Sequence, residues 1–344
     1  MSYIQTVLGP IDPKDLGKTM MHEHLIWKQD IYQKPVDPES EEGKFVYSKI
    51  EPSNMYRIRL YDLHNHRQCA RQTNKEEAAE EVKYLCEAGG RALVDCTCLG
   101  LDRDPLVEKY VSEQTGLHII MATGVYSKGS CDEVVSLSAD EKASLFIKEL
   151  KEGVDGTDIK AGVIGEIGIS CFDENEQGSL IAAAKANKAT GAAILIHQPG
   201  TYKIGHEMLD VLEENGADLK KVVLCHCDPV CDDLHYLETL ANRGVNLSFD
   251  QFGLEAYLWY FGNYWLPRDI DRVKAIKRLC ELGFYKQIVL SQDLCFQICY
   301  KKYGGGGYAH VLNNIVRVMR DEGITERAIN RMLIDNPARI LSMP

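Results

Sequence analysis

The sequence predicts a closed (β/α)8 TIM barrel. Two observations lead there: eight short, β-rich apolar runs recur along the chain, and amphipathic, charge-bearing stretches follow most of them. A third is where the histidines and carboxylates fall, at the ends of several runs, the positions at which barrels carry their chemistry. With 344 residues and 45% hydrophobic content, the chain is expected to bury one large core as a single domain spanning residues 1–344.

Residues 4 to 19, with Gly9-Pro10, read as a short N-terminal β-hairpin plugging one end of the barrel. The first strand is expected over 20–25 (MMHEHL), and the segment from 26 to about 74 is too long for a connector, so it is a candidate lid. The helix predicted over 75–88 stops at Gly89-Gly90. Strands follow over 92–97, 118–124 and 161–167, then a helix over 177–190 halted by Gly191, then strands over 193–198, 222–228 and 246–252. A second long loop, 253–268, gathers Tyr257, Trp259, Tyr260, Phe261, Tyr264 and Trp265, a substrate cover or an oligomer interface. The last strand covers 287–293, and residues 330–341 read as closing helices broken near Pro337.

A formal charge of -12 argues against nucleic acid and gives no reason to expect an anionic membrane surface. No run approaches the roughly 18 apolar residues of a membrane span and no secretory leader opens the chain, so a cytoplasmic protein acting on a small molecule is expected. The 12 cysteines are spread out and several sit in strand-like runs, which suits reduced core thiols. Cys225, Cys227 and Cys231 match no common structural zinc spacing.

The His22-Glu23-His24 run is the strongest chemical signal, because side chains two apart on a strand share a face. Downstream strand ends supply Glu166, His197, His226 and Asp293. This set of imidazoles and carboxylates fits two divalent metal ions, zinc first, with manganese, iron or cobalt as alternatives, one carboxylate bridging them. Metal binding lowers the pKa of water to about 7, so hydroxide is available without a serine or cysteine nucleophile. The other His-x-His, His64-Asn65-His66, lies in a polar, Arg-rich stretch and is expected at the surface or in the first lid.

Leu8-Gly-Pro, Gly17-Lys-Thr-Met-Met-His-Glu-His-Leu25, Val94-Asp-Cys-Thr97 with Arg103-Asp104, 161–168 (AGVIGEIG), Ile196-His197, His226-Cys-Asp228, Leu290-Ser-Gln-Asp293, Gly304 to Tyr308 and Asn336-Pro337 together resemble the phosphotriesterase-like branch of the amidohydrolase superfamily over essentially the whole chain. The resemblance implies that His22, His24 and Asp293 hold the more buried metal and His197 and His226 the more exposed one. Gly165 stands where phosphotriesterases carry a carboxylated lysine, so Glu166 must bridge, as in the homology-protein and mammalian-like members. That one-residue offset turns the side chain the wrong way unless the strand bulges, and Gly165 is the place for it. After strand seven, Asp250-Gln251 replaces the acid–imidazole pair of true phosphotriesterases, and glutamine relays no proton.

The expected mechanism is attack by a metal-bridging hydroxide, with Asp293 as the catalytic proton acceptor. The resemblance ranks a lactone or other carboxylic ester first, including phosphorylated sugar lactones, then N-acyl amino acids or related amides, then phosphotriesters. A noncatalytic metal or redox sensor is the rival from another class. Tyr126 is a candidate donor to a substrate oxygen, and Arg268, Lys301 and Lys302 are candidate cations for a substrate anion. Aromatic lids on barrels commonly pair, so a homodimer is the oligomer expected.

Overall fold

The structure, a computed structural model, describes residues 2–200, 202–258 and 264–344. Eight strands form one parallel sheet: β1 (Thr19–Glu23), β2 (Ala92–Asp95), β3 (His118–Thr123), β4 (Val163–Gly168), β5 (Ala193–His197), β6 (Val222–Leu224), β7 (Asn246–Phe249) and β8 (Ile288–Leu290). They neighbour one another in chain order from β1 to β8, with helices between them. Six lie within their predicted spans, while β1 starts one residue earlier, at Thr19, and β4 ends one residue later, at Gly168, and the barrel is nearly closed.

Alternation along the strands divides the core in two. Ala92, Val94, Ile120, Ala122, Val163, Ala193, Leu195, Val223 and Val289 fill the barrel interior, while Leu93, Ile119, Met121, Ile164, Ile194, Ile196 and Leu224 pack outward in the larger cluster shared with the helices. The predicted hairpin pairs Ile4–Thr6 with Gly9–Ile11, and Ile4 joins the interior cluster and plugs the barrel. Asp104 caps the helix Pro105–Thr115 by accepting from the Leu106 and Val107 N–H groups, while buried Arg103 reaches Glu149 and Asp155.

Both predicted long loops are present. In the first, Trp27–Lys28 pairs with Arg71–Gln72, and the helices Glu41–Val46 and Met55–Tyr61 lie between. In the second, Tyr257–Leu258 pairs with Tyr264–Trp265; Trp259, Tyr260 and Phe261 lie outside the described residues. The two loops meet where the Tyr61 ring lies 5.8 Å from Tyr257 and 6.3 Å from Trp265.

Of the two places expected for His64 and His66, the first lid holds: both are buried in the first long loop and not at the surface. One expectation needs correction: Pro337 does not break the closing helix. Glu326–Asn330 runs on through a widened turn, Arg331–Asp335, into Asn336–Leu341, and that widened turn directly precedes Pro337 and accommodates its ring and missing N–H. Among the described residues, no helix is long and apolar enough to cross a membrane.

Candidate metal centre

The six predicted ligands converge at the carboxyl ends of the strands. His22 and His24 direct their Nε2 atoms at Asp293 Oδ1, at 3.6 and 3.3 Å, and at the Glu166 carboxylate, at 3.3 and 3.5 Å. His197 Nδ1 and His226 Nε2 face Glu166 Oε2, at 3.2 and 3.6 Å, the oxygen that His22 also meets, while His24 faces Oε1. Glu166 therefore lies among all four imidazoles.

Local backbone irregularities aim these side chains. In β4, Val163 faces inward and Ile164 outward, and the register against β5 then slips between Ile164 and Ile167. The slip is the bulge predicted at Gly165, whose φ of +125° suits glycine, and it turns Glu166 inward. A second slip in β1, between Met20 and Glu23, lets Met21 and His22 both face the interior. His226 and Asp293 adopt left-handed φ values of 55° and 48°, conformations that non-glycine residues hold only where their surroundings enforce them.

Hydrogen bonds fix which ring nitrogen faces the centre. His226 Nδ1 lies 2.8 Å from Asp250 Oδ1, and His24 Nδ1 lies 3.0 Å from Thr97 Oγ1, whose own hydroxyl donates to Ile26 O. Both rings thus donate from Nδ1 and keep the Nε2 lone pair for the centre. His197 is reversed: its Nδ1 faces His226 Nε2 at 2.9 Å, while Nε2 lies 3.2 Å from the Tyr126 hydroxyl.

A divalent cation fits this donor set. Both His22 ring nitrogens are buried without a hydrogen-bond partner, and His197 Nδ1 and His226 Nε2 converge to 2.9 Å beside the Glu166 carboxylate. The carboxylates require positive charge. Burial opposes a charge on His22, yet Glu166, Asp250 and Asp293 outweigh it and lift the imidazole to about 9. Burial likewise disfavours an ionised Glu166, but His22 and His197 hold it well below the usual carboxylate range. His22, His24 and Asp293, and separately His22, Glu166 and His226, have ligand atoms close enough to hold an ion.

Above the centre is a cavity of about 40 Å³, lined in part by His24, Glu166, His197 and Asp293 and in part by loop residues Gln29, Tyr32, His64, Gln251, Leu254 and Phe296. Tyr126 lines it too: Tyr32 Oη donates to Tyr126 Oη at 2.7 Å. Burial pushes the His64 imidazole down to about 3, so it is neutral there. A neighbouring groove of about 450 Å³ shares Tyr32 and His197 and carries Ser127, Lys128 and Tyr202. Arg268 and Lys301 do not reach the cavity. Arg268 is exposed and paired with Asp271 at 2.9 Å, and Lys301 Nζ lies 4.3 Å over the Tyr84 ring.

Sequence reasoning did not place Gln29, Tyr32 and His64 at the site, nor give Asp250 a role in orienting His226. Only Asp250 had a sequence signal, its place at the end of a strand-like run.

The comparisons with known proteins agree with this geometry. The mouse (Mus musculus) N-acetyltaurine hydrolase is 36% identical over 351 residues, covering 98% of this chain and 97% of that protein. The crystal structure of a resiniferatoxin-binding protein from Rhodobacter sphaeroides superposes with a TM-score of 0.94 at 36% identity, covering 98% of this chain and 94% of the other. A lactonase of the same type from Deinococcus radiodurans, solved as a mutant, gives a TM-score of 0.75 at 25% identity, with 98% and 99% covered. The phosphotriesterase family profile matches residues 2–341, and the chain belongs to the phosphotriesterase family.

Proposed function

We propose that this chain is a metal-dependent hydrolase that cleaves N-acyl amides in which the amine half bears an acidic group. Two divalent ions, zinc by preference, would be held by His22, His24, Glu166, His197, His226 and Asp293. When bound, they supply hydroxide at neutral pH and polarise the substrate carbonyl.

The observation that carries the amide reading is a pair of acceptors. Gln29 Oε1 and Gln251 Oε1 are buried on residues that line the cavity, and neither has a hydrogen-bond partner. An amide substrate brings an N–H that one of them accepts once its side chain turns into the cavity; a lactone brings none. The relationship to N-acetyltaurine hydrolases supports the same class, and a 40 Å³ cavity suits a short acyl group such as acetyl. The acidic half then extends into the adjoining groove towards Lys128, whose ammonium exchanges its partner Asp173, 2.9 Å away, for the substrate anion.

Tyr126 supplies a hydrogen bond to the carbonyl oxygen. Its hydroxyl accepts from Tyr32 Oη and from His197 Nε2–H once Nδ1 is a ligand, so its own proton is free to point into the cavity. Asp293, at the cavity wall, takes the proton from the attacking hydroxide and returns it to the departing amine nitrogen, a poor leaving group unless protonated.

Lactone or carboxylic ester hydrolysis is the second reading, favoured by the lactonase neighbour and by the same carbonyl chemistry. The deciding experiment loads the protein with zinc, counts metal by elemental analysis, and screens N-acyl amino acids and N-acyl aminosulfonates beside phosphorylated sugar lactones and phosphotriesters. A kcat/KM for acidic N-acyl amides at least tenfold above every other class is expected. Lactones leading the panel would replace the amide reading, and stoichiometric metal without turnover would leave a metal-binding sensor.

A further inference from the structure

Glu23 stands between two metal-ligand histidines but faces neither ion site. Its carboxylate is fully buried and takes four hydrogen bonds from the segment after β8. Oε1 accepts from Ser291 Oγ at 2.6 Å, Gln292 N at 2.8 Å and Gln292 Nε2 at 2.7 Å, and Oε2 accepts from Leu294 N at 3.1 Å.

These bonds fall where the barrel lacks a ladder. The sheet runs from β1 to β8, and among the described residues no strand pairing joins its two ends. Around Glu23 the gap is crossed by two further contacts, His22 N–H donating to Ser291 Oγ at 2.9 Å and Asp293 N–H donating to His22 O at 3.1 Å. Gln292 extends the link by donating to Tyr308 O at 3.0 Å, and Tyr308 Oη donates to His24 O at 2.6 Å. The circuit therefore begins on β1 at the His22 backbone and ends at the His24 backbone, one residue past the strand.

Asp293 lies inside this circuit. The N–H groups of the residues on either side of it, Gln292 and Leu294, are both held by Glu23, and its own φ of 48° is one a non-glycine residue keeps only under constraint. We propose that Glu23 is a positioning residue: it closes the β8–β1 seam with a carboxylate in place of a ladder and thereby fixes Asp293 against His22 and His24. This rests on the reading of Asp293 as a metal ligand and proton acceptor. Partners that orient a ligand in this way affect metal affinity or activity by about 10–100-fold.

The test compares Glu23→Ala and Glu23→Gln with the parent. It measures cobalt(II) affinity by competition with a chromophoric chelator, the cobalt absorption spectrum, kcat and KM below the melting temperature, and amide exchange at Gln292 and Leu294 in the metal-free protein. Glu23→Ala is expected to lose at least tenfold in cobalt affinity and in kcat, with KM within twofold, an altered spectrum and faster exchange at both amides. Glu23→Gln, which keeps the oxygen that meets three of the four donors, should recover most of the loss. An alanine variant with a lower melting temperature but parental cobalt affinity, spectrum and kcat would overturn the proposal and leave Glu23 with a purely structural role. If Glu23→Ala does not fold, Ser291→Ala and Gln292→Leu each remove one arm, and parental cobalt affinity in both would overturn it equally. Asp293→Asn is the control for the underlying reading. Full turnover in that variant would reject Asp293 as proton acceptor, while the cobalt titrations would still judge Glu23.

Discussion

Gly165→Ala probes the strand-four bulge that brings Glu166 to the centre. An added Cβ would lie 2.2 Å from Leu195 O and 3.0 Å from Leu195 C, backbone atoms of the neighbouring strand, and 3.1 Å from Leu195 Cβ. Ordinary contact requires a retreat of about 1 Å, and no side-chain rotation supplies it. The φ of +125° adds about 1–3 kcal/mol for a residue with a Cβ, and the overlap about 1–3 kcal/mol, so a loss of about 2–6 kcal/mol is expected if the bulge survives. If the bulge instead relaxes to regular alternation, the strain is relieved but Glu166 turns away from the ions. Either way the site suffers, because Leu195 sits two residues before His197 on the same strand. Urea unfolding of the metal-free protein reads the first outcome, and calorimetric zinc titration reads the second. A variant within about 0.5 kcal/mol of the parent, with unchanged zinc stoichiometry and affinity, would refute the reasoning.

Four further outcomes are expected. Asp293→Asn should lower kcat by about 10²–10⁴-fold in protein shown by elemental analysis to retain metal. Arg272→Met should cost about 3–5 kcal/mol by urea unfolding, because it strands buried Asp228, which Arg272 Nε meets at 2.7 Å and which in turn holds the Asp250 and Gln251 N–H groups. Burial, with Arg57 and Arg67, pushes His66 down to about 4 from an ordinary 6.5; since the folded value lies below the unfolded one, stability should be full above pH 6.5 and fall by at most about 3 kcal/mol as the pH drops towards 4, a slope that His66→Asn should flatten in pH-dependent unfolding. Lys128→Ala should raise KM for an acidic N-acyl amide about 5–10-fold and leave a neutral ester unchanged, a split read by steady-state kinetics on the two substrates.

Much of this architecture could be read from residue order because period-two alternation survives in the strands. Ala193, Leu195 and His197 face inward by simple alternation, and Gly165 marked the bulge that moves Glu166 off the register of its strand. Lid residues carry no such signal. His64 and His66 lie in a polar, Arg-rich stretch, and their burial comes from tertiary neighbours: the Tyr32 and Phe296 rings for His64, the Phe45 ring and Ser48 for His66. Asp250 looked like half of a missing dyad, because its role with His226 needs two strands side by side. Arg268 and Lys301 fail to reach the cavity for local reasons. Asp271 is three residues from Arg268 on the same surface, and the Tyr84 ring lies under the Lys301 ammonium.

Of the proposed ligands, His22, Glu166 and His197 stand on strands and His24, His226 and Asp293 follow within three residues of a strand end, whereas most of the other cavity-lining residues, Gln29, Tyr32, His64, Leu254 and Phe296, come from the long loops. Reaction and selectivity are thus written in separate parts of the chain, one rigid and one free to vary in length and sequence. Under the proposed function, editing the rim would exchange one substrate for another while the residues at the strand ends keep their places.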